Sequence, residues 1–381
     1  MAIEKITIEQ FLSLSKQHPV FDVRSPSEFL HAHIPSAYNL PLFNDEERKI
    51  IGTTYKQQSR QQAIKLGLDY FGVKMRNMVE EAESLIVDHC SSAKNMLPTN
   101  TEQRTTNNVL IHCWRGGMRS AALAWLLDLY GYKVYTLAGG YKGFRNWVLK
   151  QFSKHYSFKI LGGYTGSGKT ILLEELQHSG MQIINLEALA KHKGSAFGAI
   201  GERPQPSQEM FENLLAVELG KNAACFGEGL ERAYSWLEDE SQRIGKLYIP
   251  KKIWEQMRKS PVYFIDIPFE QRLDYIIETY GKLEKEDLIN AIIRIQKKLG
   301  GLEAKNAINY LLEDNIESCF SILLKYYDKC YSKALYNRIN PENLLNKIPA
   351  PSVSKKNISL LLSDTENKNN TLSSSGHISA N

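Results

Sequence analysis

Two kinds of apolar run alternate along the first 150 residues. Short, almost continuous runs at Val20–Val23, Tyr38–Leu42, Asn108–Ile111 and Lys133–Thr136 read as strands. Between them, Asp45–Gly52, Arg60–Leu66 and Met118–Tyr130 carry helical spacing, and Gly131 stops the last of these. Ser25, Pro26, Ser27 and Glu28 form a capping box with proline at the first helical position. Cys90–Asn108 is polar and rich in Ser, Thr and Asn, which predicts an exposed loop or insertion. Strands alternating with helices imply a parallel α/β domain over residues 1–150.

A second α/β pattern begins with a strand at Phe158–Leu161 and a helix running to Gln177. Strands follow at Met181–Ile184 and Val262–Ile265, and Phe269–Asn340 is mainly helical in pattern. This predicts a second domain over residues 151–345. From Pro349 the chain turns to Ser, Asn and Lys with little apolar content, so residues 346–381 are expected to form a disordered tail. The 381-residue length fits two or three domains, and no internal repeat is present.

Composition changes this picture little. At 43% hydrophobic and 23% charged the chain has the make-up of a globular protein. No stretch has the apolar length of a membrane span, and Met1–Ile6 lacks the pattern of a signal peptide, so a cytoplasmic protein without membrane association is expected. Five cysteines, an odd number without a CxxC pair, argue against a disulfide framework or a cysteine-rich zinc site. The net charge of +5 is compatible with a nucleic-acid partner.

Two loops carry candidate chemistry. In the first, Cys113 lies between a strand end and a helix start, within His112-Cys113-x5-Arg119-Ser120. Free backbone N–H groups at that position favour a thiolate, and Arg115 and Arg119 would add positive charge. The pattern fits either atom transfer through a persulfide-type cysteine or cysteine-phosphatase chemistry, since both need a cradled thiolate. The second loop, Gly163-x4-Gly168-Lys169-Thr170, is a complete Walker A pattern between strand and helix. Gly163, Gly166, Ser167 and Gly168 would bring backbone N–H groups onto phosphate oxygens, Lys169 supplies a charge, and Thr170 could hold a phosphate-linked magnesium. No Asn-Lys-x-Asp guanine-reading motif occurs. Glu187, Glu238, Glu240 and Asp266 are the candidate acid, base or metal-binding carboxylates.

Phe21-Asp22-Val23-Arg24, Glu28-Phe29, the stretch from His33 to Asn39, and the stretch from Leu137 to Trp147 together resemble the rhodanese family over nearly all of residues 1–150. The resemblance implies that Cys113 is a chalcogen-carrying nucleophile and that Asp22 and Arg24 are structural. The cysteine loop is one residue longer than in many rhodaneses and resembles that of dual-specificity phosphatases of the same fold, which keeps open the alternative of a cysteine phosphatase fused to a P-loop module. Joined to a Walker A domain, and with Leu186–Gly198, Gln205–Gln208 and Glu238–Gly245, the chain resembles the bacterial tRNA 2-selenouridine synthases over residues 1–345.

That resemblance implies a rhodanese-like domain followed by a P-loop NTPase-like α/β domain with a helical C-terminal part. It implies replacement of sulfur in wobble 2-thiouridine by selenium, through an S-geranylated base. The implied co-substrates are geranyl diphosphate and selenophosphate, the latter supplied by selenophosphate synthetase, with no tightly bound cofactor. Cys113 would accept selenium and deliver it, while the Walker A loop would hold the diphosphate. The partner would be a tRNA anticodon loop. For it, His192, Lys193, Arg243 and Lys246 are candidate contacts, and Tyr164 and Phe197 are candidates for stacking or for lining an apolar pocket.

Overall fold

The computed structural model describes residues 3–94, 107–224 and 234–365. They fall into two compact units, one formed by residues up to Gln151 together with Glu212–Val217, the other by Phe152–Phe211 and the residues from Glu218 on.

The first unit runs β1 (Glu4–Ile6), α1 (Ile8–Leu14), β2 (Val20–Asp22), α2 (Pro26–His31), β3 (Ala37–Asn39), α3 (Asp45–Gln57), α4 (Arg60–Gly72), α5 (Met75–Lys94), β4 (Asn108–His112), α6 (Met118–Tyr130), β5 (Lys133–Leu137) and α7 (Gly140–Gln151). Its five strands lie in the order β1-β5-β4-β2-β3, all parallel. Helices cover a sheet of this kind on both faces, so its strands are apolar runs. The central β4 illustrates this, with Val109, Leu110 and Ile111 fully buried. The box at Ser25 forms as its residues predict, with the Ser25 amide donating to Glu28 Oε2 at 3.1 Å.

One expectation fails here. The polar stretch from Cys90 does not begin a loop, because α5 continues through it to Lys94. Met78, Val79, Ala82 and Ile86 recur at helical spacing and are buried in the core, and that stripe carries the helix past its polar end. The rest of the expected insertion, residues 95–106, lies outside the described residues.

The second unit runs β6 (Phe158–Gly163), α8 (Lys169–His178), β7 (Ile183–Ile184), α9 (Leu186–Ala190), α10 (Gln208–Ala224), β8 (Ser235–Glu238), β9 (Arg243–Ile244), β10 (Leu247–Tyr248), α11 (Lys251–Lys259), β11 (Val262–Asp266), α12 (Phe269–Tyr280), α13 (Lys285–Leu299), α14 (Gly301–Leu312), α15 (Ile316–Tyr336), α16 (Pro341–Leu344) and β12 (Leu345–Pro349). The second sheet is also parallel, in the order β12-β11-β6-β8-β7, and β9 and β10 form a separate antiparallel hairpin. Helices α12–α15 build their own core around Ala291, Ile292, Ala307, Leu311 and Leu323.

The expected disordered tail is corrected over its first twenty residues. Strand β12 pairs with β11 from Leu345 to Pro349, and residues 357–365 are helical. Ile348, Ala350 and Leu361 are buried beside Leu172 and Leu173 of α8. Val353, Ile358 and Leu362 pack partly buried against the same cluster, and pairing with β11 holds the strand. The remainder of that tail, 366–381, lies outside the described residues.

In both sheets the candidate loop follows the central strand, β4 in one and β6 in the other. The carboxyl ends of such strands are where parallel α/β sheets place their ligands.

Candidate functional site

Cys113 leaves the end of β4 and is buried, with 3% of its surface exposed. Its Sγ accepts from the Gly117 amide at 3.3 Å and lies 3.2 Å from Ser120 Oγ. Ser120 Oγ also donates to the Gly117 carbonyl at 3.0 Å. Burial works against ionisation. Bonds from the Ser120 hydroxyl and from the amides of Gly117, Ser120 and Arg115 outweigh it, and the thiol sits below its ordinary value. The cradle therefore consists of amides and a hydroxyl.

The two arginines do not supply it. The Arg119 guanidinium donates to Glu28 Oε2 at 2.7 Å, and the Arg115 side chain is exposed and has no carboxylate partner among the described residues. Of Arg115, the backbone amide serves the sulfur.

The loop is held from α7. The amides of Tyr141 and Lys142 donate to the carbonyls of Cys113 and Trp114 at 2.8 and 2.9 Å. Gly140 makes this approach possible. It has φ +57°, and a Cβ there would stand 2.3 Å from the Cys113 carbonyl oxygen. Beneath the loop, Arg24 is 1% exposed, pairs with Asp22 at 2.6 Å and lies over the Tyr141 ring at 3.8 Å. His112 is fully buried, and burial lowers its pKa.

The Walker A loop follows β6. Gly163, Gly166 and Gly168 all have positive φ, and the space beside each is filled. A Cβ on Gly163 would meet Ser167 Oγ at 2.3 Å, on Gly166 Ile276 Cγ1 at 2.8 Å, and on Gly168 Val353 Cγ1 at 2.6 Å. Ser167 is buried, and its hydroxyl has no hydrogen-bond partner among the described residues. Lys169 Nζ donates to the Gly163 carbonyl at 2.9 Å and to that of Tyr164 at 3.4 Å. Thr170 is exposed.

Three residues that sequence reasoning missed brace this loop, Arg272 and Tyr331 directly and Arg338 through Asp239. Arg272 Nη1 donates to the Thr165 carbonyl at 3.1 Å, and its guanidinium is held by both oxygens of Asp328 at 2.9 and 2.7 Å. The Tyr331 hydroxyl accepts from the Gly163 amide at 3.2 Å and donates to Asp239 at 2.8 Å, and Asp239 is paired with Arg338. These side chains come from α12, α15 and the turn after α15, about 100 residues and more beyond the motif. The carboxylate–arginine–tyrosine set has no local signature in the sequence.

The structure brings three of the four candidate carboxylates together. Gly194 lies between Glu187 and Glu240, where a Cβ would stand 3.1 Å from one and 2.8 Å from the other. Glu238 Oε2 accepts from the Leu186 amide at 3.0 Å, and its Oε1 has no hydrogen-bond partner among the described residues. Burial, reinforced by the charge of Glu187, pushes Glu238 up to about 8. Burial also raises Glu240, well above its ordinary value, and Glu187. Lys169 is the cation opposing these shifts at all three. Glu238 thus keeps its proton at neutral pH beside the P-loop lysine. Asp266 ends β11, on the other side of β6 from β8. Among the described residues no group of His, Cys, Asp and Glu is arranged to hold a metal ion.

The candidate RNA contacts divide. Arg243, Lys246 and Tyr248 are exposed on the β9–β10 hairpin, which Gln205 ties to α9 through the carbonyls of Ala190 and Ile244 and the Lys246 amide. Lys193 pairs with Glu202 at 3.3 Å. His192 is buried, packed so that a Cβ on Gly245 or Gly198 would strike its ring, and so offers no face to a nucleic acid. Phe197 is likewise buried, in the helical core, and cannot stack on a base. Tyr164 packs edge-on against Phe264 and Tyr331.

Comparison with known proteins matches a rhodanese-like domain over residues 7–146 and a tRNA 2-selenouridine synthase AAA domain over residues 156–342. A tRNA 2-selenouridine synthase of Sulfurovum sp. is 35% identical over 75% of this chain and 77% of its own length. That of Bdellovibrio bacteriovorus is 34% identical over 89% and 94%. That of Nitrosomonas europaea is 38% identical over 69% and 63%.

Proposed function

Because the chain belongs to the tRNA 2-selenouridine synthase family, enzymes acting on tRNA, we propose that its two loops act in turn on one wobble 2-thiouridine. The P-loop binds geranyl diphosphate and stabilises the charge that develops on the departing diphosphate as the thiocarbonyl sulfur is alkylated. Gly163, Gly166, Ser167, Gly168, Lys169 and Thr170 hold that anion. Alkylation converts a poor leaving group into one that departs as a thiol. The Cys113 thiolate then adds to C2 and expels the alkylated sulfur as geranyl thiol; the selenium of selenophosphate, at the selenide level, displaces Cys113 from C2, and water cleaves the P–Se bond to release phosphate and leave the 2-selenouridine. Magnesium, where used, would sit between Thr170 and the diphosphate, because the protein carboxylates alone do not form a cage for it.

The observation that carries this reading is the cradle around Cys113. A buried thiol with a lowered pKa, bonded by amides and a hydroxyl, is a prepared nucleophile. The phosphatase alternative needs a guanidinium over the phosphoryl oxygens, and Arg119 is instead engaged by Glu28.

The test is nucleoside mass spectrometry of a 2-thiouridine tRNA incubated with the protein, geranyl diphosphate and selenophosphate. Cys113→Ser is expected to accumulate S-geranyl-2-thiouridine and form no 2-selenouridine. Full selenation by that variant would refute the role of Cys113 as nucleophile. Steady Cys113-dependent turnover of an aryl phosphate would restore the phosphatase.

A further inference from the structure

The first unit contains an apolar cavity of about 390 Å³ that the chemistry above leaves unused. Its walls come from α3, α4 and the first turns of α6, among them Phe43, Ile51, Ala63, Phe71 and Ala122. Its size falls in the small-molecule range of about 300–1,000 Å³. Two further observations say what it accepts.

The first is its charge. Four cations, Arg48, Lys56, Arg60 and Arg119, line an otherwise hydrocarbon surface. Lys56 and Arg60 have no carboxylate partner among the described residues. Arg48 reaches Glu28 only at 3.8 Å, and its buried Nε has no hydrogen-bond acceptor among the described residues. A polar depression of about 410 Å³ shares Arg48, Gly52 and Lys56 with the cavity and adds Ser25, Ser27, Lys49, Thr53, Asp45 and Glu28, the last of these already held by Arg119. The occupant is therefore an amphiphile, with a hydrocarbon part inside and anionic groups at the rim.

The second is position. Met118, Arg119 and Ala122 of the wall belong to the helix whose N-cap residue, Gly117, donates its amide to Cys113 Sγ. One wall of the cavity is thus the first turns of the helix whose N-terminus holds the nucleophile. Tyr55, Leu68 and Met118, more than half exposed, extend the apolar surface outward to the mouth.

We propose that this cavity seats the hydrocarbon chain of an S-alkylated nucleobase, with phosphates of the flanking nucleotides on Arg48, Lys56 and Arg60, so that the carbon bearing the alkylated sulfur faces Cys113. This rests on the reading that the base is alkylated before selenation. It adds direction to that reading. Each buried methylene multiplies affinity by about fourfold, so the alkylated RNA is retained at Cys113. The selenated product, which lacks the chain, is released.

The test measures binding of the full-length protein, by fluorescence anisotropy without selenophosphate, to two anticodon stem-loop RNAs. One carries 2-thiouridine and the other S-geranyl-2-thiouridine. The wild type is expected to prefer the alkylated RNA by at least about tenfold. Ala63→Phe fills the cavity. Leu68→Glu places a charge at its mouth, at a side chain 59% exposed, where the fold tolerates it. Each is expected to reduce the preference to less than about threefold, chiefly by weakening the alkylated complex. Equal binding of both RNAs by the wild type overturns the cavity assignment, as does a preference that survives in both variants. Binding of neither RNA by the wild type would instead refute the tRNA reading, and the cavity proposal with it.

Discussion

Ser120→Ala tests the origin of the Cys113 thiolate. Ser120 Oγ lies 3.2 Å from the sulfur and 3.0 Å from the Gly117 carbonyl, so its single proton serves one or the other. Ionisation of the thiol draws that proton to sulfur at the expense of the carbonyl. A hydrogen bond to a charged group contributes about 1.5–3 kcal/mol, and the competing acceptor places this one at the lower end. Losing about 1.4 kcal/mol lowers the thiolate-to-thiol ratio about tenfold at a given pH. The sign is fixed, because the bond favours the anion and its removal raises the pKa. The assay is the rate of iodoacetamide alkylation at Cys113, followed by peptide mass spectrometry from about pH 5.5 to about pH 10. The variant should react about tenfold more slowly on the acidic limb, and its plateau at high pH should match the wild type, since the amide cradle remains. Superimposable curves would show that the amides of Gly117, Ser120 and Arg115 act alone. A shift toward lower pH would refute the argument.

The second unit gives a pH prediction. Glu238 titrates near 8 in the folded protein against 4.5 as its ordinary value, so the fold holds a proton that the unfolded chain releases. Stability therefore falls as pH rises through that window and levels off above it. Glu238→Gln removes this term, and urea unfolding at about pH 5.5 and pH 8 should show the wild type losing up to about 3 kcal/mol relative to the variant. Parallel curves would mean that the carboxyl is solvated. Gly140→Ala and Gly131→Ala both place a side chain at positive φ, but only the former meets backbone, at 2.3 Å. The former should destabilise by about 1–3 kcal/mol more and disturb Cys113 alkylation, whereas equal melting temperatures would remove the role given to Gly140. Lys169→Ala should slow S-geranylation by about a hundredfold or more while still selenating an RNA supplied already geranylated, and loss of both steps would argue against separate sites.

What was legible in the sequence was local. The two strand–loop–helix motifs, the box at Ser25 and the helix stop at Gly131 each depend on neighbours within a few residues, and all formed. The supports of the P-loop were hidden because Arg272 and Tyr331 reach it from distant helices and Arg338 acts on it only through Asp239, and an isolated Arg or Tyr resembles any surface residue. Strand β12 was hidden because Leu345–Pro349 lacks the apolar run of a buried strand and gains its place from pairing with β11. His192 illustrates the converse error. Its setting between Lys191 and Lys193 suggested a basic surface, yet the turn around Gly194 and Gly198 folds the ring inward.

The ammonium of Lys169, bonded to the carbonyls of Gly163 and Tyr164, acts as a threshold for entry to the P-loop. An incoming anion must offer more than two carbonyl dipoles already provide. Chloride or a lone carboxylate gains little by the exchange. Two linked phosphoryl groups gain the lysine together with the amides that follow Gly166. The loop should thus disregard the abundant monovalent anions of its surroundings and respond to concentrated negative charge.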